Sequence, residues 1–366
     1  DPKSGQTWYE AATILEIARQ NGTPVNQIPQ LPFFENMYAP GELDAIFYGA
    51  GYNNTQAAYL SVDDYAGDWT YVQELLDNET SKRYFYQNQY GALSSFGTIG
   101  SSDYHGLSVS LRQRLKGLTW DFNYTWSKSM DDASGLQTGG TFGSAFILNA
   151  IRQEDARSVS DFDLTHVVNF NSVWELPIGR NQKFLSGMNK FADAILGGWQ
   201  LSTIFRYNTG YPIYGFFDNS GWQTNWNIRS NGVRVTQVDP DPNKLSGTGS
   251  GGTKVPNLFA DPTAAYRSYR TPYPGESGDR NQLRYPSYFT VDAGLSKSFT
   301  MPWSEGHKVQ FRWEVFNVTN SAHFTGLANT ALGYNPSKGS PASTFGNFTD
   351  TQGSPRVMQF ALRYDF

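Results

Sequence analysis

A glycine-rich segment is the first candidate for chemistry in this sequence. Residues 247–252 read GTGSGG, which matches the G-x-G-x-x-G spacing that lets a main chain approach the pyrophosphate of a dinucleotide. That fingerprint needs a strand before it and a helix after it, but DPDP at 239–242 precedes it and Pro256 follows. A P-loop is excluded as well, because Thr253 stands where its lysine would be. The segment is therefore interpreted as a flexible surface loop.

Histidines and carboxylates are the remaining candidates for catalysis or metal binding. The four histidines form no i, i+4 pair and have no cysteine partner, so no zinc site is predicted, and no G-x-S-x-G elbow occurs. Acidic clusters lie at 131–132, 154–155, 161/163 and 239/241, without the spacing of an EF-hand. The sequence predicts no enzyme, no cofactor and no metal site, and it leaves calcium binding in the loops open.

The composition favours strands and loops over helices. Aromatic residues make up 16% of the 366 residues, 36 are glycine, and charged residues reach only 17%, which is below the usual quarter. The net charge of −5 gives no electrostatic footprint for nucleic acid. No run of eighteen apolar residues exists to form a transmembrane helix. The opening DPKSGQTWYE has neither the basic nor the apolar region of a signal peptide, so we interpret it as a mature or truncated start.

Alternation of apolar and polar residues is the strongest structural signal. In 118–128 five apolar residues at every second position face five polar ones, which is typical of a strand. Lys116 and Gly117 join this strand to the preceding one as a tight hairpin. The seven predicted strands are Tyr104–Leu115, Leu118–Lys128, Thr165–Leu176, Trp199–Asn208, Tyr288–Ser298, Lys308–Thr319 and Arg356–Phe366.

Strand length and loop order favour a transmembrane barrel over a soluble sandwich. The strands are about ten residues long, enough to cross the hydrocarbon layer at a tilt of ~45°, whereas soluble strands centre on about five or six. Short links alternate with long ones, as periplasmic turns alternate with outer loops. The short links are 116–117, 177–198 and 299–307, of which 177–198 is long for a turn; the long ones are 129–164, 209–287 and 320–355.

The two faces of these strands are expected to meet different surroundings. One face is charged and is predicted to line the lumen; its residues are Arg112, Arg114, Asp121, Glu175, Arg206, Arg312, Glu314 and Arg363. The other face is predicted to contact lipid. Its residues are Trp120, Phe122, Tyr124, Phe170, Trp174, Leu201, Phe205, Val291, Phe311, Trp313, Phe360 and Leu362.

The part before the strands looks irregular and polar. Helical patterns occur at Thr7–Gln20 and at about Asp68–Asp77. Between them four prolines (Pro24, Pro29, Pro32 and Pro40) are expected to exclude a helix or a central strand. The sequence is therefore divided into an extracellular loop region with short helices, 1–103, and C-terminal barrel strands with long extracellular loops, 104–366.

Several phrases carry a family resemblance. They are DYHGLSVSLRQRLKGLTWDFNYTWSKS (103–129), SVSDFDLTHVVNFNSVWELPIGR (158–180), LGGWQLSTIFRYNTGYP (196–212), GLSKSFTMPW (294–303), VQFRWEVFNVTNSAHF (309–324) and TFGNFTDTQGSPRVMQFALRYDF (344–366). Together they resemble the C-terminal barrel of Oar-like TonB-dependent outer-membrane receptors, abundant in Acidobacteria. The resemblance covers about Gln87 to the end.

The resemblance implies an all-β, up-and-down antiparallel barrel of about 22 strands in the bacterial outer membrane. It also implies an N-terminal plug and uptake energised by TonB. The plug, the TonB-contacting segment and most strands are absent here, so missing N-terminal strands and plug, or a second chain, must complete the barrel; we expect a fragment. Other expected partners are outer-membrane lipid and the barrel assembly machinery. The assembly signal would be the alternating C-terminal row Phe360, Leu362, Tyr364 and Phe366.

Three functions remain open from the sequence. The first is a TonB-dependent receptor that imports a bulky substrate, which could be a siderophore, an oligosaccharide or a peptide. The second is a structural or adhesive barrel whose outer loops bind without active transport. The third is a soluble, aromatic-rich carbohydrate-binding β-domain or glycosidase, for which no signature of paired carboxylates is visible.

Overall fold

Seven long antiparallel strands form one continuous wall. The computed structural model describes residues 1–65, 67–86, 97–135, 147, 149, 152–216, 223–225, 228–301, 303–333 and 335–366. The wall strands are β1 (Ser102–Leu115), β2 (Leu118–Asp131), β3 (His166–Glu175), β4 (Trp199–Asn208), β5 (Tyr288–Met301), β6 (Ser304–Phe316) and β7 (Val357–Asp365). Each pairs with its neighbours in sequence order.

The seven strands predicted from alternation are confirmed, and so is the order of their pairing. The prediction for β4 matches its observed bounds, and the other six differ by a few residues at their ends. The last strand pairs with the sixth over nine positions, from Lys308 opposite Asp365 to Phe316 opposite Val357. Within the described residues β1 and β7 are not paired with each other, so the wall has two free edges.

The two ends of the wall differ in the connections they carry. The hairpin at Gly117 lies beside the end of β3, where its carbonyl accepts a hydrogen bond of 2.7 Å from the Glu175 amide. The link 177–198 begins at the same end, since the Leu176 amide bonds the carbonyl of Trp199. We call this end the turn end. The opposite end, where the Thr209 amide bonds the His166 carbonyl, carries the three long loops and is called the loop end, in agreement with the expected alternation.

Residues 1–86 form a helical unit, which corrects the expectation of an irregular polar region. The helices are α1 (Trp8–Asn21), α2 (Pro32–Met37), α3 (Glu42–Phe47), α4 (Asn54–Asp64) and α5 (Trp69–Glu79), with a 3₁₀ turn at Val25–Gln27. They enclose a core that includes Leu15, Phe34, Leu43 and Trp69. This core is built from residues on five short helices, none of which shows a long apolar stripe in the sequence.

The prolines of this unit separate helices and do not prevent them, so that expectation was wrong. Pro32 is at the start of α2. The first amide hydrogens of a helix have no partner within the helix, so the missing N–H of proline costs nothing there, and its fixed φ is already helical. Pro24, Pro29 and Pro40 lie in the connections. Helices α1 and α4 begin with capping boxes at Thr7 and Asn53, which satisfy their first free amides.

The long loops form a second compact layer at the loop end. Its buried core joins 209–287 to 320–355 and consists of Ile213, Phe216, Leu258, Phe259, Ala265, Tyr266, Tyr269, Leu283, Leu332 and Phe345. Short strands in the loops are Ser158–Val159, Pro212–Ile213, Gln223–Asn225, Ile228–Arg229, Val233–Arg234, Gly247–Thr248, Lys254–Val255, Tyr269–Arg270, Leu283–Arg284, His323–Leu327 and Phe348–Gln352. The layer also contains α7 (Pro262–Arg267) and 3₁₀ turns at Gln153–Ala156 and Ser250–Gly252.

The helical unit rests on this loop layer. The Gln20 side chain donates to Thr271 Oγ1 at 2.9 Å, and the Gln20 carbonyl accepts from Lys338 Nζ at 2.8 Å. One further helix, α6 (Lys190–Leu196), lies apart from it in the link between β3 and β4. None of the helices in the described ranges is long and apolar enough to cross a membrane.

Candidate functional site

One face of the wall carries continuous apolar rows, which we call the apolar face. The strand registers align Phe122, Phe170, Phe205 and Val291 across four strands. A second row runs from Trp174 through Leu201, Leu295 and Trp313 to Phe360. Because strand side chains alternate, residues opposite each other in register share a face. The sequence pattern of each strand therefore combines into one surface.

All twelve residues predicted to contact lipid lie on the apolar face, and none belongs to either buried core. Phe360 and Leu362 are the most exposed of them, at 68% and 74%. Tyr364 and Phe366 continue the same alternation to the carboxyl terminus and are also exposed. Contact with lipid, and recognition of the terminal row by the assembly machinery, stay predictions.

A polar pair interrupts the apolar face without leaving an unpaired hydroxyl. Ser172 and Thr203 are opposite each other in register, and their hydroxyl oxygens lie 2.6 Å apart in a hydrogen bond. An unsatisfied polar group in a hydrocarbon environment costs several kcal/mol. The mutual hydrogen bond makes this pair compatible with an apolar surrounding.

The opposite face, called the polar face, contains a cavity of about 370 Å³. Five strands line it, each through three consecutive residues, of which the outer two have side chains on the polar face. These side chains are Thr119, Asp121, Asn171, Val173, Ser202, Ile204, Asp292, Gly294, Glu314 and Phe316. Ser202 and Gly294 pair at its centre, and their small size leaves the space open.

The charged residues predicted for the lumen lie on this polar face, where several form pairs. Arg112 is opposite Asp121 and donates to its carboxylate at 2.6 Å. Glu314 accepts a hydrogen bond of 2.5 Å from Gln359 Nε2 and lies 3.9 Å from Arg312. Several charges of this face are thus paired with a neighbour on the same face.

Two ion pairs attach the long loop 209–287 to other segments at the loop end, and in each pair the aspartate is buried. Arg280 pairs with Asp131 at the end of β2, and both side chains are about 5% exposed, at 6% and 4%. Arg284 pairs with Asp163, whose side chain is 1% exposed, and also donates to the Asp163 carbonyl at 2.9 Å. We call these four residues the loop anchor. Removal of one partner from a pair of this kind costs free energy, because the other charge is left buried without compensation.

A third, more exposed pair extends the loop anchor toward β1. Asp132 accepts hydrogen bonds from the Ser101 hydroxyl at 2.7 Å and from Arg157 at 3.2 Å, and Arg157 also pairs with Asp103. Burial alone would raise the pKa of Asp132, but the hydrogen bonds from Ser101 and Arg157 outweigh it and lower the pKa below its ordinary value. Asp132 is therefore held as a carboxylate.

Arginines and amides are the partners of most of the acidic residues that the sequence marks as calcium candidates. Besides Asp131, Asp132 and Asp163, Asp161 accepts from Asn281 at 2.7 Å and Asp155 from Arg152 at 3.2 Å. Within the described ranges no group of three or more His, Asp or Glu side chains could hold a metal ion. These carboxylates act as structural links between loop segments.

The histidines and the glycine-rich segment also have local structural roles. His166 Nδ1 lies 2.9 Å from the Tyr124 hydroxyl, His307 Nδ1 lies 2.6 Å from that of Tyr364, and His323 contacts the Ser287 carbonyl. Gly247 and Thr248 form a small hairpin with 254–255. A Cβ on Gly247 would come within 2.0 Å of Asn347 Oδ1, so close packing explains this glycine.

Sequence reasoning missed the two arginines of the loop anchor and an outward-facing lysine. Arg280 and Arg284 lie in a loop without periodicity, and their partners are more than a hundred positions away. Lys297 interrupts the apolar alternation of β5 two residues after Leu295, and this was the available signal. The short helix α6 that covers Lys297 has the i, i+4 pair Phe191 and Ile195, which is too little for a helix prediction on its own.

The comparisons with known proteins agree with this wall. A family model described as "Outer membrane beta barrel domain" matches residues 24–359, which include the helical unit from the 3₁₀ turn onward and almost the whole wall. No curated protein matches the sequence.

Proposed function

The chain belongs to the outer membrane β-barrel domain family, and from that premise we propose that it is the C-terminal part of a TonB-dependent receptor that imports a bulky substrate. Membership of the family places the protein in the bacterial outer membrane. The observation that carries the proposal is the open wall with an apolar face, a polar face and two free edges. The link to TonB comes from the sequence segments that resemble Oar-like TonB-dependent receptors.

The free edges require further strands in the membrane. Each edge strand presents a row of amide and carbonyl groups, and in lipid each unpaired group costs several kcal/mol. The edges at Ser102–Leu115 and Val357–Asp365 must therefore be paired in the assembled protein. We propose that strands outside this chain, together with a plug, complete the barrel.

Strand direction limits how the barrel can close. Six antiparallel steps separate β1 from β7, so both edge strands run from the loop end to the turn end. If β1 paired with β7 of the same chain, the two strands would form a parallel ladder. If two copies of this chain paired edge to edge, with their loops on the same side of the membrane, their edge strands would also be parallel. Outer-membrane barrels are antiparallel with an even number of strands. An odd number of strands from elsewhere must therefore lie between the two edges, which favours a large barrel over a seven-stranded one or a dimer.

The polar face and the loop layer fit a transporter. A large barrel encloses a lumen that is occupied by a plug, and the cavity of about 370 Å³ over Ser202 and Gly294 lies on the face that would line it. The anchored loops and the helical unit cover the loop end, which is the outer side in such barrels. They form the surface that a substrate would meet first. No catalysis is proposed, since most of the carboxylates that stood out in the sequence are engaged by arginines and amides.

An adhesive or scaffolding barrel is the second candidate, favoured by the extent of the loop layer and its helical unit. Both candidates predict the same wall. They differ in that the receptor needs energy supplied by TonB to import its substrate, whereas the adhesive barrel needs none. The third possibility, a soluble carbohydrate-binding domain, conflicts with the family to which the chain belongs.

Binding to TonB tests the proposal. The full protein that contains this chain is purified from outer membranes, and binding of the isolated periplasmic domain of TonB is measured by surface plasmon resonance, with a general porin as the control surface. Saturable binding to the protein, and none to the porin, is expected. Absence of binding by folded protein would overturn active transport and leave the adhesive function.

A further inference from the structure

The link between β3 and β4 is long for a turn because it contains an additional element. Helix α6 (Lys190–Leu196) begins at Asn189, whose side chain accepts a hydrogen bond of 2.8 Å from the Ala192 amide. The link starts and ends at the turn end of the wall. The helix therefore lies at the end of the wall opposite to the loop layer.

Lys297 fixes this helix on the apolar face. Lys297 is opposite Trp199 and Phe311 in register, so its side chain belongs to the same face as the apolar rows, yet it is only 6% exposed. Its ammonium group donates to the carbonyls of Asp193 at 3.3 Å, Ala194 at 2.6 Å and Gly197. These carbonyls are at the C-terminal end of α6, where a cation is favoured by the free acceptors and the helix dipole.

A second contact holds the same end of the helix. Trp199 Nε1 donates to the Ile195 carbonyl at 2.9 Å, and the ring of Phe299 lies 4.9 Å from Lys297 Nζ. The polar atoms of Lys297 and Trp199 are thus directed into the helix end, and their apolar parts remain in the wall.

The rest of α6 and its flanks is unusually apolar for a surface segment. Phe191 is 78% exposed and Ile195, one helical turn later, is 53% exposed. Phe184 and Leu185 precede them in the same link and are also exposed. Lys183 and Lys190 are exposed beside these apolar residues, so the segment combines an apolar surface with cationic groups.

Other exposed aromatic residues lie at the same end of the wall. Trp303 follows β5, and Tyr364 and Phe366 are at the end of β7; all three are exposed. Aromatic girdles of this kind mark the level of the membrane interface in outer-membrane barrels. The exposed surface of α6 is continuous with the apolar face that reaches this level.

We propose that 177–198 is an interfacial anchor, in which α6 lies in the phospholipid headgroup region of the inner leaflet of the outer membrane. Phe191 and Ile195 enter the acyl boundary, and Lys183 contacts lipid phosphates, as in interfacial amphipathic helices. Lys297 holds the helix against the wall. The inference rests on the location of the protein in the outer membrane and does not depend on transport or TonB.

Spin-label accessibility tests this anchor. This chain contains no cysteine. After replacement by serine of any cysteine elsewhere in the full protein, Phe191→Cys and Ile195→Cys are labelled with a nitroxide and reconstituted in phosphatidylethanolamine and phosphatidylglycerol vesicles. Lys190→Cys is the matched control on the other side of the helix. We expect collision with lipid-soluble oxygen to exceed collision with water-soluble nickel–EDDA several-fold at 191 and 195, and the reverse preference at 190. Equal, nickel-dominated collision at all three sites would overturn the proposal.

The role of Lys297 is tested on the same reporter. Lys297→Met removes the donor to the helix carbonyls, and Lys297→Arg retains it. With the label at 191, the oxygen preference should fall in the Met variant and persist in the Arg variant. An unchanged preference in the Met variant would show that Lys297 does not hold the helix. If the Met variant does not assemble, the comparison of positions 190, 191 and 195 in the protein with Lys297 still decides whether α6 meets lipid.

Discussion

Arg280 donates to both the main-chain carbonyl and the carboxylate of Asp131, although 149 positions separate the two residues. The contact joins the longest loop to the end of β2, and both side chains are buried. The end of β2 is thereby linked to a loop that begins only after β4. The loop layer is thus held by charge pairs as well as by its own apolar core.

Loss of Arg280 should loosen this layer. Arg280→Met leaves the Asp131 carboxylate buried without its partner, which costs about 3–5 kcal/mol for pairs of this kind. The free energy of unfolding of the full protein in vesicles measures the effect. Arg152→Met is the control, because the Arg152 side chain is 53% exposed in its pair with Asp155 and such pairs contribute about 0–1 kcal/mol. Similar losses in the two variants would contradict the anchoring role.

Acidification should weaken the third pair of the loop end. The pKa of Asp132 is lowered in the folded protein, because hydrogen bonds from Ser101 and Arg157 outweigh burial. Its contribution to stability is therefore present above the ordinary aspartate pKa of about 3.9 and is lost as the pH falls through the lowered value. Asp132→Asn should remove this part of the acid sensitivity, measured as unfolding free energy from about pH 6 down to about pH 2, a range that extends below the ordinary aspartate pKa.

Asp155 provides a control of opposite sign. Burial raises its pKa above the ordinary value, so its contribution is present below the ordinary pKa and is lost as the pH rises through the raised value. The difference in unfolding free energy between Asp155→Asn and the parent protein should therefore be more favourable to the variant at neutral pH than at acid pH. The same pH response in both variants would contradict the assignment of Asp132.

The two faces of β4 should respond differently to a new charge. Phe205 lies in an apolar row between Phe170 and Val291, and the adjacent Ile204 lines the cavity beside Asp292. Phe205→Arg should cost about 2–4 kcal/mol in lipid, as measured for arginine near the midplane of outer-membrane barrels. Ile204→Arg should cost less, because the polar face offers a carboxylate. Guanidinium unfolding in vesicles compares the two, and a larger loss at Ile204 would reverse the assignment of the faces.

The wall was predictable because the two faces of each strand have different surroundings, and the strand sequence therefore alternates between apolar and polar residues. In β2 the alternation from Leu118 to Trp126 needs no knowledge of the rest of the fold, and the bounds of β4 follow from the same rule. The helical unit was not predictable to the same degree. Pro32 and its neighbours suggested a break where proline in fact begins a helix, and the apolar residues of α2 to α4 face a core that depends on all five helices.

The loop end and the anchor were beyond sequence reasoning for a different reason. Arg284 and Asp163 are 121 positions apart, and nothing local identifies either as the partner of the other. Lys297 interrupts the apolar alternation of β5, but the alternation does not show why. The ammonium group of Lys297 donates to carbonyls of α6, a seven-residue helix in a distant link. These partners become visible only when the position of α6 is known.

The distance between the two edges of the wall shows whether other strands lie between them in the assembled barrel. Spin labels at Leu111→Cys in β1 and Phe360→Cys in β7 report it by double electron–electron resonance on the full protein in vesicles. Six strand intervals of about 4.8 Å, widened by strand tilt and curved into a large barrel, predict a separation of about 30 Å. A separation below roughly 10 Å would mean that β1 and β7 are neighbours at a spacing of about 4.8 Å, and would contradict a wall that other strands complete.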